Sequence, residues 1–489
     1  METEFEIKLN LDGPEQADAL AHMLDLGPPE TQRLSAVYFD TPDLRLAERG
    51  CSLRIRRNGR RRIQTIKLAG GASVGAFARR EWEQVVRSNA PVLGSDSPVR
   101  AILGDDVARL EPRFQVETLR RCWTIAYEGA SIELAADRAT ARAGDAAVSF
   151  TEVELELKRG DQAALFALAG RVGKLVPVRL GMLSKVERAR RLAKPHAGPD
   201  KERLVRLLPD MTAEDAFRAI GHVCLRHYRL NEQRLIAGDD ASALHQARVA
   251  LRRFRSALTA FRPIIKGDTA RRLNSDLRWL ARQLASARNI DVAMPRVSDP
   301  RVLRTLKKAR SVAYDDARRA MNSALTRELM LDLAEWFSVG DWTQSRKKAR
   351  HAPAGEFGAT AIDRLHRRLL KQSAAIAGPD DTDDTGGRER HELRKTAKKL
   401  RYTVEFFALL FDDGKRRKAR IRYLAALEEL QDHLGALNDA ATMETLFEGL
   451  GLDPALADLQ VTETGMRAFH LLQAEQVMNL LKEAKRFWK

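Results

Sequence analysis

Near residue 200 the hydrophobic period of the chain changes from two residues to about 3.6, and no single layer of secondary structure accommodates both. Before that point short segments alternate charged and apolar residues, as strands do. After it apolar residues recur at helical spacing. The change predicts an α+β protein: an antiparallel sheet domain followed by an all-α domain. Between them, Ala193-Lys194-Pro195-His196-Ala197-Gly198-Pro199-Asp200 carries two prolines and a glycine and reads as a linker. The expected division is 1–195, a linker at 196–209, and 210–489. The charge divides with it. Residues 1–200 hold 31 Lys+Arg against 28 Asp+Glu, whereas the rest of the chain holds 53 against 39, so most of the net +17 belongs to the helical part. Such a surplus predicts a polyanionic partner without naming it.

The strand-like segments sort their charges. Glu4, Glu6 and Lys8 alternate with Phe5, Ile7 and Leu9, and Glu152, Glu154 and Glu156 with Val153, Leu155 and Leu157. Arg54 and Arg56 alternate with Leu53 and Ile55, Thr65 and Lys67 with Ile66 and Leu68, and Glu81 and Glu83 flank Trp82. Residues i and i+2 share a sheet face, so each strand carries one charged row. For any one strand the plain reading is a wet face opposite a packed one. Sorting acids onto some strands and bases onto others gives a solvated face nothing, because like charges side by side repel. It suits a lumen that meets a metal–phosphate complex, carboxylates taking a hard cation and Arg and Lys taking phosphate oxygens. No G-x-x-x-x-G-K-[ST] motif is present, so a P-loop is not supported. Gly70-Gly71-Ala72-Ser73-Val74-Gly75 reads as a hairpin loop.

The run Glu4-x-Glu6-x-Lys8, with Tyr38-Phe39-Asp40-Thr41-Pro42, Arg49 to Arg56, Lys67, Arg80 to Glu83, Glu133 with Asp137, Glu152 to Glu156 and Ser184-Lys185, resembles the CYTH family, the triphosphate tunnel metalloenzymes. The resemblance spans nearly all of residues 1–195. It implies an eight-stranded antiparallel β-barrel or tunnel with flanking helices. It further implies Mg²⁺- or Mn²⁺-dependent hydrolysis of inorganic triphosphate to diphosphate and phosphate. Glu4, Glu6, Glu154 and Glu156, with Glu152 as a further candidate, would hold the metal. Lys8, Arg54, Arg56, Lys67, Arg120 and Lys185 would grip phosphate, with Glu4, Glu6, Lys8, Arg54, Arg56 and Lys67 forming the catalytic set. The pair Arg120-Arg121 leaves open which side chain points inward. Glu81, Glu83, Glu133 and Asp137 complete the tunnel or act as structural partners. Thiamine triphosphatase or adenylate cyclase activity on the same fold, or phosphate capture without turnover, are the alternatives.

Residues 210–489 contain a duplication, about 210–350 and 351–489. His245, Arg248, Arg252, Arg253 and Arg255 recur as His391, Arg394, Lys398, Lys399 and Arg401 at the same offsets, and Phe261 recurs as Phe407. Offsets 0, 3, 7 and 10 fall within an arc of roughly 80° on a helix. Phe254, Leu258 and Phe261, or Leu400, Val404 and Phe407, take roughly the opposite side. One charged helix face is ordinarily just solvated. Repeating its like-charge cost at matched offsets argues for a ligand. The pattern resembles the CHAD domain, a duplicated helical bundle associated with inorganic polyphosphate. His245, Arg248, Arg252, Arg255, His391, Arg394, Lys398 and Arg401 match its basic set, with Arg253, Lys395 and Lys399 secondary. Asn289 stands where many members carry an acid. Nucleic acid is the rival polyanion, but the stripes lack interleaved aromatics for base stacking.

Three widely spaced cysteines argue against a disulfide scaffold, and the acidic N-terminus shows no secretory signal. No run of 18 apolar residues is present to form a membrane span. These features together suggest a cytoplasmic protein, with association to polyphosphate granules implied by the second resemblance.

Overall fold

The computed structural model describes residues 2–69, 78–193, 198–202, 204–344, 348–373, 384–453 and 464–489, without the side chains of 2–4, 69, 78–79, 384–386, 440–441 and 464–465. The Gly70–Gly75 segment and residues 196, 197 and 203 of the expected linker lie outside the described residues. The chain divides into two compact units, Met1–Gly198 with Ala324–Val339, and Pro199–Ser323 with Gly340–Lys489.

In the first unit the elements run β1 (Glu2–Leu11), α1 (Pro14–Met23), β2 (Glu30–Asp40), α2 (Arg45–Glu48), β3 (Cys51–Asn58), β4 (Arg61–Ala69) and β5 (Ala78–Val85). There follow α3 (Pro98–Leu103), β6 (Glu111–Tyr127), β7 (Ala130–Ala143), β8 (Ala146–Arg159), α4 (Gln162–Leu175), β9 (Arg179–Leu180) and α5 (Lys185–Leu192). All strand pairs are antiparallel, in the order β5-β4-β3-β2-β6-β7-β8-β1-β9. The hairpin turns are built from residues that tolerate positive φ. Gly59 (+57°) turns β3 into β4, and Glu128 (+47°) with Gly129 (+76°) turns β6 into β7.

The expected eight-stranded barrel is corrected at its seam. Among the described residues β1 meets β5 over Glu2–Phe5 and β8 over Glu6–Leu11, so the described sheet curls round without continuous closure. One face of β2, β3 and β4 packs Phe39, Leu53, Ile55 and Ile66 against Leu46 of α2 and Val99 and Leu103 of α3. On the lumen side α5 lays Val186 and Ala189 on Ala36, Tyr38, Phe114, Val116, Ala139 and Ala141, and so fills one end of the lumen. A capping box between Ser184 and Glu187 fixes the first turn of α5.

In the second unit the helices are α6 (Ala213–Ala237), α7 (Ala241–Ala260), α8 (Asp268–Gln283), α9 (Ala285–Ala293) and α10 (Pro300–Asn322). The next helix, α11 (Ala324–Val339), belongs to the first unit, where it packs on α4 and β9. The second unit resumes with α12 (Ala354–Lys371), α13 (Asp384–Phe406), α14 (Gly414–Gly449) and α15 (Thr464–Glu483). The reading of 210–350 as one helical repeat therefore fails at α11. An amphipathic stripe shows that a helix is buried, not against what. Phe254, Phe261, Leu400, Val404 and Phe407 are fully buried, and Phe261 stacks on Phe407 with centroids 5.8 Å apart. The duplicated helices thus meet through the same residue of each repeat.

Candidate active site and basic helical face

A cavity of about 800 Å³ runs through the curled sheet of the first unit. Its wall includes Glu6, Lys8, Arg54, Arg56, Lys67, Arg120, Glu154, Glu156 and Lys185, together with Glu81, Glu83 and Glu133. Strand register explains the gathering. Directly opposed residues share a face, and Ser52↔Lys67, Arg54↔Thr65 and Lys67↔Glu81 put the basic and acidic rows of β3, β4 and β5 on one side. Across β1, β8 and β7, Lys8 stands opposite Glu154, while Glu6, Glu156 and Glu133 form a row of three carboxylates.

The acids occupy two groups of different character. Glu154 of the cavity wall and, behind it, Asp137 and Glu152 bring one oxygen each within 4.8 Å of one another, a spacing that could hold a metal ion. The ammonium of Lys185, set at the start of α5 by the capping box, already lies 2.8, 2.7 and 2.8 Å from these three. Arg120 makes a fork to Asp137 (2.8 and 2.6 Å) and also reaches Glu154, and Arg188 reaches Glu152 at 3.3 Å. Lys8 bridges Glu6 at 2.9 Å and Glu154. Four carboxylates (Glu6, Asp137, Glu152, Glu154) thus meet four cations (Lys8, Arg120, Lys185, Arg188) in a charge-balanced cluster. Glu152, expected among metal ligands, is fully buried below the cavity wall. Asp137 is equally buried, as a structural partner of Arg120 and Lys185.

The electrostatics follow from burial and pairing. Burial alone would lower the ammonium pKa of Lys8 and Lys185. Glu154 and Glu6 around the first, and Asp137, Glu152 and Glu154 around the second, outweigh it and hold both above their ordinary values. Burial works to raise Glu154, but Lys185, Lys8 and Arg120 hold it well below the usual carboxylate range. Arg56 is lowered, first by Arg54 beside it and then by burial, with Glu83 at 3.7 Å in partial compensation.

The second acid group, the Glu6–Glu156–Glu133 row, faces the cavity. Lys158 touches Glu156 at 2.7 Å and Glu133 at 3.8 Å. Lys158 was missed by the sequence reading, although it continues the alternation 152, 154, 156 by two residues. The Arg120-Arg121 ambiguity resolves cleanly: Arg120 points into the cavity, while Arg121 pairs with Asp18 at 2.6 Å and lies over Trp123. Asp40 is no ligand of the cavity. Its buried carboxylate accepts from the backbone N–H groups of Thr41, Leu46 and Ala47 and so anchors α2. Glu4 sits in β1, and its side chain is outside the described residues.

In the second unit the two basic stripes face one another. Burial, then Arg394 and Arg252, push the Lys398 ammonium down to about 7, and burial and Arg252 also lower Arg394, so α7 and α13 share one field. Burial, then Arg252 and Arg288, push Arg248 down to about 10, and burial, Arg288 and Arg252 push His245 down to about 4. Burial, then Arg278 and Arg282, also lower Arg255. Arg401 instead pairs with Glu405 at 2.7 Å, and His391 meets Asn438 at 2.9 Å. Arg253, counted as secondary, turns into the core, 2% exposed and 2.8 Å from Glu405. In the following elements Asp439 lies 3.8 Å from Arg394, and Asp291 holds Arg310 and Tyr314 at 2.6 Å each.

Comparison with known proteins matches both units. Residues 2–189 match the CYTH domain family and residues 219–448 the CHAD domain family. This is a CYTH–CHAD protein. An uncharacterized protein of Mycobacterium tuberculosis is 28% identical over 422 residues, covering 79% of this chain and 78% of that one. An inorganic triphosphatase of Haemophilus influenzae is 29% identical over 140 residues, 27% of this chain and 38% of that one. The CHAD domain crystal structure from the plant Ricinus communis matches with 27% identity and a TM-score of 0.45, over 60% of this chain and 94% of that one. The CYTH–CHAD chain has no described helix long and apolar enough to cross a membrane.

Proposed function

We propose that the CYTH unit hydrolyses inorganic triphosphate to diphosphate and phosphate with a divalent cation, Mg²⁺ or Mn²⁺, and that the CHAD unit binds inorganic polyphosphate. The observation that carries the reading is a cavity in which acid and base rows stand opposed yet balanced. The named Haemophilus relative supports the substrate class. The donor set is hard carboxylate oxygen, which fits such a cation. Glu6 and Glu156, with Glu154 beside them, are the residues that would hold it. Glu152 is committed to Lys185 and Arg188. When bound, the cation neutralises charge on phosphate oxygens and favours attack by water.

The protein's own residues do the rest. Lys8, shared by Glu6 and Glu154 at the cavity wall, would offer its ammonium to a bound phosphate oxygen. Arg54, Arg56 and Lys67 line the facing wall and stabilise the charge that builds on the leaving diphosphate. Lys185 and Arg120 hold Glu154 ionised, which keeps a ligand in its charged form at neutral pH.

The test is phosphate release from triphosphate, long-chain polyphosphate, ATP and thiamine triphosphate, with and without Mg²⁺ or Mn²⁺. Metal-dependent turnover fastest on triphosphate is expected, abolished in Glu6→Gln. Faster turnover of ATP or thiamine triphosphate reassigns the substrate. Triphosphate binding without release makes the unit a capture protein.

A further inference from the structure

The β3–β4 turn carries more charge than the cavity accounts for. Arg57, Arg60, Arg61 and Arg62 surround Asn58-Gly59. Arg57 stands directly opposite Arg62, a like-charge pair that costs stability in a hairpin. Arg62 is held by Asn89 at 2.9 Å. Arg57, Arg60 and Arg61 are exposed, and no carboxylate among the described residues partners them. The cavity cations Arg56, Lys67 and Arg120, by contrast, each face a carboxylate.

The register separates these arginines by face. Arg54 and Arg56 line the cavity, so Asn58, two residues on, shares their face. Arg61 stands opposite Asn58 and therefore lies on that face too, one strand repeat of about 7 Å beyond Arg56. Arg57 lies on the other face, in line with Leu53 and Ile55 of the apolar cluster. Strand directions put this turn at the same end of the sheet as the β6–β7 turn and the last residues of β8, with the Glu133–Glu156–Lys158 group between them. The opposite end is the one filled by α5. Arg54, Arg56 and Arg61 thus form a cationic ladder leading from the cavity toward the end away from α5.

We propose that the cavity takes linear phosphate chains longer than triphosphate, and that Arg61 grips the part of the chain that protrudes. The inference rests on the tunnel reading above and sharpens its substrate class. An unpaired guanidinium on the tunnel-facing side is what a protruding polyphosphate needs, and its charge would offset the repulsion built into the turn.

The experiment compares kcat/KM for linear pentaphosphate and triphosphate in the full chain, as wild type, Arg61→Ala and Arg57→Ala. Arg61→Ala is expected to lower the pentaphosphate-to-triphosphate ratio about five-fold, the size of one exposed charge-assisted contact, and more at low salt. Arg57→Ala removes the same charge from the same turn and is expected to leave the ratio within two-fold. An unchanged ratio in Arg61→Ala, or an equal fall in both variants, overturns the proposal. If wild-type protein releases no phosphate from either compound, the hydrolytic reading has failed. Calorimetric binding of the same two phosphates then decides this one: Arg61→Ala must weaken pentaphosphate selectively, and loss of both alike refutes it.

Discussion

Replacing Lys185 with methionine keeps the length of the side chain and removes the ammonium that touches Asp137, Glu152 and Glu154. Breaking a buried ion pair by deleting one partner costs about 3–5 kcal/mol, because the remaining charge is left without compensation. Here both Asp137 and Glu152 are fully buried, while Arg120 and Arg188 remain as partners, so the lower part of that range applies. For a unit of this size the corresponding fall in melting temperature is roughly 10 °C. The pH dependence has a definite sign. Lys185 is held above its ordinary value, so its share of stability is present below the pKa of a free lysine and fades only as pH rises through the raised value. Glu154 is held low, so its share is complete above the ordinary glutamate pKa and is lost as pH falls through the depressed value. The gap between wild type and Lys185→Met is therefore widest between about pH 5 and pH 10 and narrows in acid. Calorimetric melting of both proteins from pH 3 to 9 measures it. Millimolar Mg²⁺ should stabilise the variant more than wild type, since the three carboxylates then lack their cation. A variant that melts with wild type at neutral pH would refute the claim that Lys185 neutralises an ionised triad.

A methyl group at Gly358 would lie 2.6 Å from the ring of Phe407, so Gly358→Ala should cost about 1–3 kcal/mol in the helical unit, read by urea unfolding. Phe407→Leu in that background should recover part of the loss. Because the Lys398 ammonium is pushed down to about 7, polyphosphate binding should take up about half a proton at pH 7, approaching one by about pH 8, and weaken as pH rises from 6 to 8. Calorimetry in buffers of different ionisation enthalpy counts that proton, and Lys398→Arg should abolish the uptake. Arg253→Met should leave polyphosphate affinity within two-fold while lowering stability, because Arg253 is spent on Glu405 in the core.

The charged rows were legible because period two and sheet geometry are the same fact: Glu154 and Glu156, Arg54 and Arg56 reach one cavity as their spacing implies. Glu152 obeys the same alternation but misses the cavity wall, since the position of α5 decides where the lumen stops. Nothing local to Glu152 encodes a helix more than thirty residues away. Arg253 was harder still. Two adjacent bases differ by one helical step, and only the neighbouring helix decides which is buried. The seam at β1 was hidden for a similar reason, because strand pattern fixes faces but not which edge a strand pairs with at each level.

Helix α11 gives the first unit a schedule. Its tunnel strands end at residue 180, yet the helix that covers α4 and β9 is encoded at 324–339, after most of the first helical repeat. Leu331 reaches Gly173, where an added methyl would sit 3.2 Å from it. During synthesis the sheet must therefore wait, with the apolar side of α4 uncovered, while well over a hundred further residues emerge. A ribosome-bound chain stopped before residue 324 carries a complete set of tunnel strands and an unfinished surface. Chaperone demand should peak in that interval and fall once α11 has docked.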